Sequence, residues 1–157
     1  MAFGFGLQIY FDFSAYSHIA IGSAKCLGIK FPENFNFPYV ATSPRDFWQR
    51  WHISLSSWIR DYLYAPLAGI TTWNKSEGGL GMISTENRRN KALFYSWALM
   101  GLWHGAAWTF VLWGLFHATV ILIYRVAKSS IRVIPEEARK MTGVLLTLPV
   151  MMIGWIP

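Results

Sequence analysis

The sequence is poor in charge. Asp, Glu, Lys and Arg together make up 14% of its 157 residues, against roughly 25% in ordinary soluble domains. A chain so depleted has too few charged side chains to dress a globular surface. A single cysteine, Cys26, excludes an internal disulfide and any cysteine-based metal framework. Low charge and few acidic residues likewise exclude a disordered or coiled-coil chain. What remains is apolar and aromatic: 54% hydrophobic residues, 17% Phe, Trp or Tyr, and a mean hydropathy of +0.29. These proportions predict an all-α fold, a multi-pass transmembrane helical bundle.

The net charge of +6 does not point to nucleic acid. Basic residues fall in short stretches between apolar blocks, at Arg45 to Arg60, Arg88 to Lys91 and Arg125 to Lys140. Loop charges of a membrane protein are distributed in this way, whereas a phosphate-binding stripe runs along one surface.

The segments follow from this punctuation. An apolar block from Ala2 to Ile29 is long enough to cross a ~30 Å hydrocarbon core. It carries no charged start or cleavage pattern of a signal peptide. Asp12 interrupts it, and a carboxylate at such depth costs at least ~2.5 kcal/mol unless it meets protein or water. Asp12 is therefore expected to face a bundle interior, as a helix–helix hydrogen bond or as part of the chemistry. Phe31 to Ser43 is a loop built on Pro32, Asn34, Asn36 and Pro38.

Ser43, Pro44 and Asp46 form a helix start. Trp48, Trp51, His52, Leu55, Ile59 and Tyr62 then recur at helical spacing. This predicts one interfacial amphipathic helix over 44–64, ended by Pro66. A polar loop is expected over 71–91, including a glycosylation-like Asn74-Lys75-Ser76 that is too short to be specific.

Residues 92–124 run for roughly 33 positions without a formal charge, about 50 Å as one straight helix. That exceeds a bilayer core even with tilt, so a broken helix is expected between Gly101 and Gly105, near His104. Basic residues flank both ends of this block, so loop charge assigns no orientation. A basic connector over 125–140 and an apolar segment over 141–157 complete the chain.

Four histidines occur, at 18, 52, 104 and 117. None has a cysteine or carboxylate at metal-binding spacing, so no metal site is expected. The thirteen-residue separation of His104 and His117 is similar to that of membrane haem ligands, but no second helix carries a matching pair. An intramembrane histidine at a helix break is a functional candidate by default, because such breaks line protein or water cavities. A neutral imidazole there can take a proton from a hydroxyl. His52 is the second candidate; anchoring to backbone and catalysis explain its place equally well.

The stretches Phe47-Trp48-Gln49-Arg50-Trp51-His52-Ile53-Ser54-Leu55-Ser56-Ser57-Trp58-Ile59-Arg60-Asp61-Tyr62-Leu63-Tyr64, Gly101-Leu102-Trp103-His104-Gly105-Ala106-Ala107-Trp108-Thr109-Phe110 and Gln8-Ile9-Tyr10-Phe11-Asp12-Phe13-Ser14-Ala15-Tyr16-Ser17 resemble three blocks of the membrane-bound O-acyltransferase family. The resemblance is strongest to the bacterial branch that acetylates alginate and other exported polysaccharides. It departs from that pattern at Ala15, His18 and Ala68.

The resemblance implies His104 as catalytic base and His52 as a second active-site residue, with Trp51, Trp103, Asp12 and Tyr16 as substrate-binding candidates. It implies no bound cofactor, an acyl donor such as acetyl-CoA or an acyl carrier, and a polysaccharide acceptor. Membrane lipids and periplasmic or extracellular acetylation proteins are the implied partners, and a multi-pass place in the inner or plasma membrane the implied location. Because it covers only a central-to-C-terminal portion of the family pattern, a fragment is expected. The alternative from another class is a non-catalytic scaffold or transport module whose histidines pack or relay protons.

Overall fold

A computed structural model describes residues 2–70, 85–131 and 134–155. The described residues are helical, with no strand among them. The helices are α1 (Ala2–Cys26), α2 (Pro44–Arg50), α3 (Ile53–Trp58), a π-helical turn (Ile59–Tyr64), α4 (Ala65–Ala68), α5 (Glu86–His104), α6 (Trp108–Ile131) and α7 (Glu136–Ile153). They divide into two compact units, residues 1–56 with 127–157, and residues 57–126.

In the first unit, α2 begins as the sequence predicts. Ser43 Oγ accepts from the Asp46 amide at 3.1 Å, and the Asp46 carboxylate accepts from the Thr42 amide at 3.0 Å and from Arg50 Nε at 2.8 Å. These bonds satisfy amide donors that a helix start leaves without intrahelical acceptors. Replacing Ser43 by Ala is expected to cost about 1 kcal/mol, read as a lowered Tm of the detergent-solubilised protein.

The core of this unit is aromatic. Trp51 stacks on Phe47 at 5.6 Å and meets Phe35 edge-on at 5.1 Å and Trp155 at 4.8 Å. Met151 and Met152 of α7 are fully buried with Phe47. Tyr39 donates to the Gly6 carbonyl at 2.5 Å. Burial, with Tyr10 nearby, pushes the Tyr39 phenol up, so it stays a donor.

The single interfacial helix expected over 44–64 does not form. Trp51 is extended, and His52 has φ 45°, between α2 and α3. The cause lies upstream. The Arg50 carbonyl accepts from the Asn36 amide at 2.9 Å and the Ile53 amide donates to the Asn34 carbonyl at 2.9 Å. The expected loop 31–43 thus supplies backbone partners that an uninterrupted helix would supply to itself.

In the second unit, Pro66 does not end the helix. It lies inside continuous helical backbone, directly after the π-helical turn whose last bond runs from the Ala65 amide to the Arg60 carbonyl; the wider turn accommodates a residue with no N–H to donate. Gly69, at φ 73°, ends α4, with the Gly69 and Ile70 amides returning to Pro66 and Ala65 carbonyls at 3.0 and 2.8 Å. Most of the polar loop expected over 71–91, with Asn74-Lys75-Ser76, lies outside the described residues. Its last part is a correction: Thr85 caps α5 through the Arg88 amide at 3.3 Å, so 86–91 is helical. Arg88 Nε also reaches back to the Leu67 carbonyl at 2.9 Å.

Within this unit α5 and α6 form an antiparallel hairpin. Arg125 bonds Asn90 at 2.9 Å, and the backbones approach where Gly101 faces Phe110 and Gly114 faces Trp97. Small residues permit such close packing between apolar helices. The expected break is present but later: Gly105 to Ala107 join the helices, and Gly101 lies buried inside α5. Gly101 serves helix contact rather than chain reversal, because any Cβ there would meet the Phe110 carbonyl. Among the described residues, one segment is long and apolar enough to cross a membrane, Trp108–Lys128, of 21 residues. The basic connector expected over 125–140 is likewise mostly helical, divided between the end of α6 and the start of α7.

Candidate active site

His104 is the last residue of α5. Its ring lies edge-on to Trp103 at 4.9 Å and to Trp113 of α6 at 5.3 Å, and it is exposed within the chain. The helix stops there because Gly105 turns extended and Ala107 starts a new turn, its amide donating to the Gly105 carbonyl at 2.9 Å. A side chain at 105 would strike the Phe110 ring, so the backbone beside His104 is held bare. Next to this connection an apolar groove of about 370 Å³ is lined by Tyr95, Leu99, Leu102, Ala106 and Trp108. Trp103 is 65% exposed. The arrangement presents an imidazole flanked by two indoles at the end of a rigid helix.

His117, one element on, sits among aromatic rings. Trp113 lies 4.8 Å and Trp97 5.7 Å from its ring, and it is almost completely buried. Trp113 therefore stands against both His104 and His117.

His52 occupies the α2–α3 break of the first unit. A non-glycine residue at positive φ is uncommon, although histidine tolerates it better than most, and such strain persists only where surroundings over-determine it. Here they do. Asn34 Oδ1 lies 3.1 Å from His52 Nδ1 and accepts from Ser54 N at 3.2 Å and Ser54 Oγ at 3.0 Å. Phe13 of α1 meets the imidazole at 4.7 Å, nearly perpendicular. The His52 carbonyl accepts from the Ser56 amide at 2.9 Å and starts α3.

The other candidates separate. Trp51 is 3% exposed at the centre of the aromatic cluster, a position that packs the break beside His52. Tyr16 is exposed on α1, 6.5 Å from Phe13, one ring removed from His52. Asp12 lies on the side of α1 that is exposed within this chain, while Tyr10 and Phe13 take the positions against Phe35 at 5.7 and 5.1 Å. Among the described residues no cluster of three His, Cys, Asp or Glu side chains is placed to hold a metal. Asn34 and Phe13 were invisible as site residues in the sequence. Asn34 reads there as a turn residue, and only its 18-residue reach to His52 shows otherwise.

Comparison with known proteins meets this geometry. The sequence profile of the membrane-bound O-acyltransferase family matches residues 3–155. The chain is 43% identical to a probable alginate O-acetylase, AlgI, of Azotobacter vinelandii, over 99% of this chain and 28% of the relative. It is 35% identical to a peptidoglycan O-acetyltransferase of Helicobacter pylori, over 97% of this chain and 27% of the relative. It is 38% identical to a teichoic acid D-alanyltransferase of Bacillus subtilis, over 78% and 30%. The chain thus spans less than a third of the length of these relatives. With its profile running across both helix breaks and both candidate histidines, this chain belongs to the membrane-bound O-acyltransferase family.

Proposed function

We propose that this chain is the part of a multi-pass membrane acyltransferase that moves an acetyl group onto hydroxyls of an exported polysaccharide, with His104 as general base and His52 as a second active-site group. The observation that carries this reading is the place of His104, at the end of α5, on a bare Gly105–Ala107 connection inside an apolar hairpin. Alginate-type acceptors are favoured by the 43% identity to the Azotobacter AlgI protein, against 35% to the peptidoglycan O-acetyltransferase and 38% to the teichoic acid D-alanyltransferase. The multi-pass reading is supported by Trp108–Lys128 as a span and by exposed Phe3, Phe11 and Ile19 along the 25-residue α1.

With a thioester donor such as acetyl-CoA or an acyl carrier, the steps balance simply. The acceptor O–H bond breaks as its proton passes to the imidazole of His104. The hydroxyl oxygen forms a C–O bond to the acyl carbon, the C–S bond breaks, and the thiolate takes the proton from the imidazolium. Trp103 and Trp113 supply flat apolar faces beside the base, which suit a sugar ring. Periplasmic or extracellular acetylation proteins are the partners that this reading expects.

The test is chemical analysis of cell-surface polymers after deletion of the gene and its restoration. Loss of acetyl esters from exported polysaccharide, with peptidoglycan acetyl and teichoic acid D-alanyl esters unchanged, is the expected result. Loss confined to either of the latter two would reassign the acceptor, and no change in any ester would remove the activity. Restoration with His52→Ala is expected to return membrane-inserted protein but less than a tenth of the esters, the lower end of general acid–base contributions being about 100-fold.

A further inference from the structure

Asn34 has a chemical consequence beyond packing. Its side-chain amide has only one orientation compatible with its neighbours. The Ser54 backbone N–H, which can only donate, lies 3.2 Å from Oδ1. On the other side Nδ2 donates to Ser17 Oγ at 3.4 Å. The atom facing Ser54 is therefore an oxygen, and the same oxygen lies 3.1 Å from His52 Nδ1. A carbonyl oxygen accepts and cannot donate, and the Ser54 hydroxyl, 3.5 Å from the same nitrogen, gives its hydrogen to Oδ1 at 3.0 Å; Nδ1 thus faces two acceptor oxygens, so it carries the hydrogen. In the neutral ring the basic lone pair is then on Nε2.

We infer that Asn34 is a positioning residue that holds His52 in the Nδ1–H tautomer, so that Nε2 is the accepting nitrogen of this ring during the acyl transfer. The inference rests on the reading of His52 as an active-site group. Three further bonds keep Asn34 in place: its carbonyl accepts the Ile53 amide at 2.9 Å, and Oδ1 takes both the amide and hydroxyl of Ser54. The same residue thus bridges the chain across the helix break, sustains the left-handed backbone at His52 and sets its proton. Phe13, perpendicular to the ring, closes one side and limits rotation about the bond to the ring. Orientation of a catalytic imidazole by a fixed acceptor on its other nitrogen is worth large factors in turnover where it has been measured.

The experiment uses the full-length protein in bilayers, labelled with [15N]histidine, and membranes assayed with radiolabelled acetyl-CoA and unacetylated alginate. The His52 ring nitrogens are assigned by their disappearance in His52→Ala. In wild type they are expected to show the Nδ1–H tautomer; in Asn34→Leu the Nε2–H form appears, and kcat falls by at least about tenfold with KM little changed. Asn34→Asp keeps an acceptor at the same place and is expected to retain the Nδ1–H tautomer and transfer within about threefold of wild type. An Nε2–H ring in wild type overturns the inference directly. So does an Asn34→Leu protein with wild-type kcat while His52→Ala is inactive, or an Asn34→Asp protein as impaired as Asn34→Leu. Full activity of His52→Ala is a different failure, that of the underlying assignment of His52, and leaves the tautomer measurement standing by itself.

Discussion

Replacing His104 by alanine in the full-length protein is expected to reduce acyl transfer by roughly 10²–10⁴-fold, the range for loss of a positioned general base, while the protein still inserts in the membrane. The reasons are local. His104 contributes no capping bond to α5, whose last turn is followed at once by the extended Gly105. Its ring touches Trp103 and Trp113 edge-on and is exposed within the chain, so among the described residues truncation opens no buried cavity. Stability should therefore fall by less than about 1 kcal/mol, as for exposed substitutions away from caps and core. A large kinetic effect with a small thermal one is the signature of chemistry rather than packing. The measurement pairs acetyl incorporation with a thermal unfolding curve of the same preparation. Transfer within twofold of wild type in well-inserted His104→Ala would remove the base assignment. His117→Ala is the contrasting variant: that imidazole is buried among Trp97, Trp113 and Phe116, so it should lower Tm first and activity only with it.

What could be read from the residues alone, and what could not, divides along the range of the interactions. The start of α2 is local: Ser43, Pro44 and Asp46 act within four positions of one another, and their bonds form as their identities require. The break before α6 was also legible, because 33 uncharged positions are too long for one span (roughly 50 Å). Its place beside His104 is legible too, since the chain breaks at Gly105; the role of Gly101 is not, because it is needed by the facing backbone of Phe110. The break at His52 left no local trace at all. Helical periodicity continues through Trp51 and His52, and the competing partners come from Asn34 and Asn36. A pattern 3.6 residues long cannot report a bond that spans eighteen. The contacts of α1 are silent in the sequence for a related reason: the aromatic loop at Phe35 and Tyr39 selects Tyr10 and Phe13 as its partners, and only the fold brings that loop to them.

A separation of functions follows between the two histidines. At His52 the backbone itself is held in an uncommon conformation, and the ring is fixed by an amide, a phenyl edge and the start of a helix. At His104 the backbone is ordinary and two indoles form the surroundings. A ring held by hydrogen bonds keeps one tautomer and one orientation; a ring held by aromatic edges keeps its plane but can exchange its proton with whatever approaches. The second arrangement suits a base that must accept a proton and return it within one turnover. The first suits a group whose proton is set in advance.

The same contrast makes Gly101 the position whose substitution should harm the protein most through structure. A Cβ at 101 would lie against the Phe110 carbonyl, and one at 114 against the Trp97 carbonyl. Both obstacles are main chain, which cannot swing aside as a side chain does. Glycine to alanine inside a helix ordinarily gains about 1 kcal/mol, so the sign depends on what the new methyl meets. Overpacking costs about 1–3 kcal/mol where side chains can yield, and here none can. Gly101→Val should therefore be destabilising by about 3 kcal/mol or more, seen as a lowered Tm and reduced yield of folded full-length protein. Gly22 on α1 is the internal control, because among the described residues nothing lies within 4 Å of a Cβ built there; Gly22→Ala should hold or raise Tm. The effect on activity should exceed the effect on folding. His104 follows Gly101 by three residues, almost one turn, and Trp113 precedes Gly114 by one. Splaying the helices at 101 and 114 draws the Trp113 indole away from the imidazole it now meets at 5.3 Å. If Gly101→Val unfolds no more readily than Gly22→Ala, the close approach of α5 and α6 is not what holds His104 against Trp113.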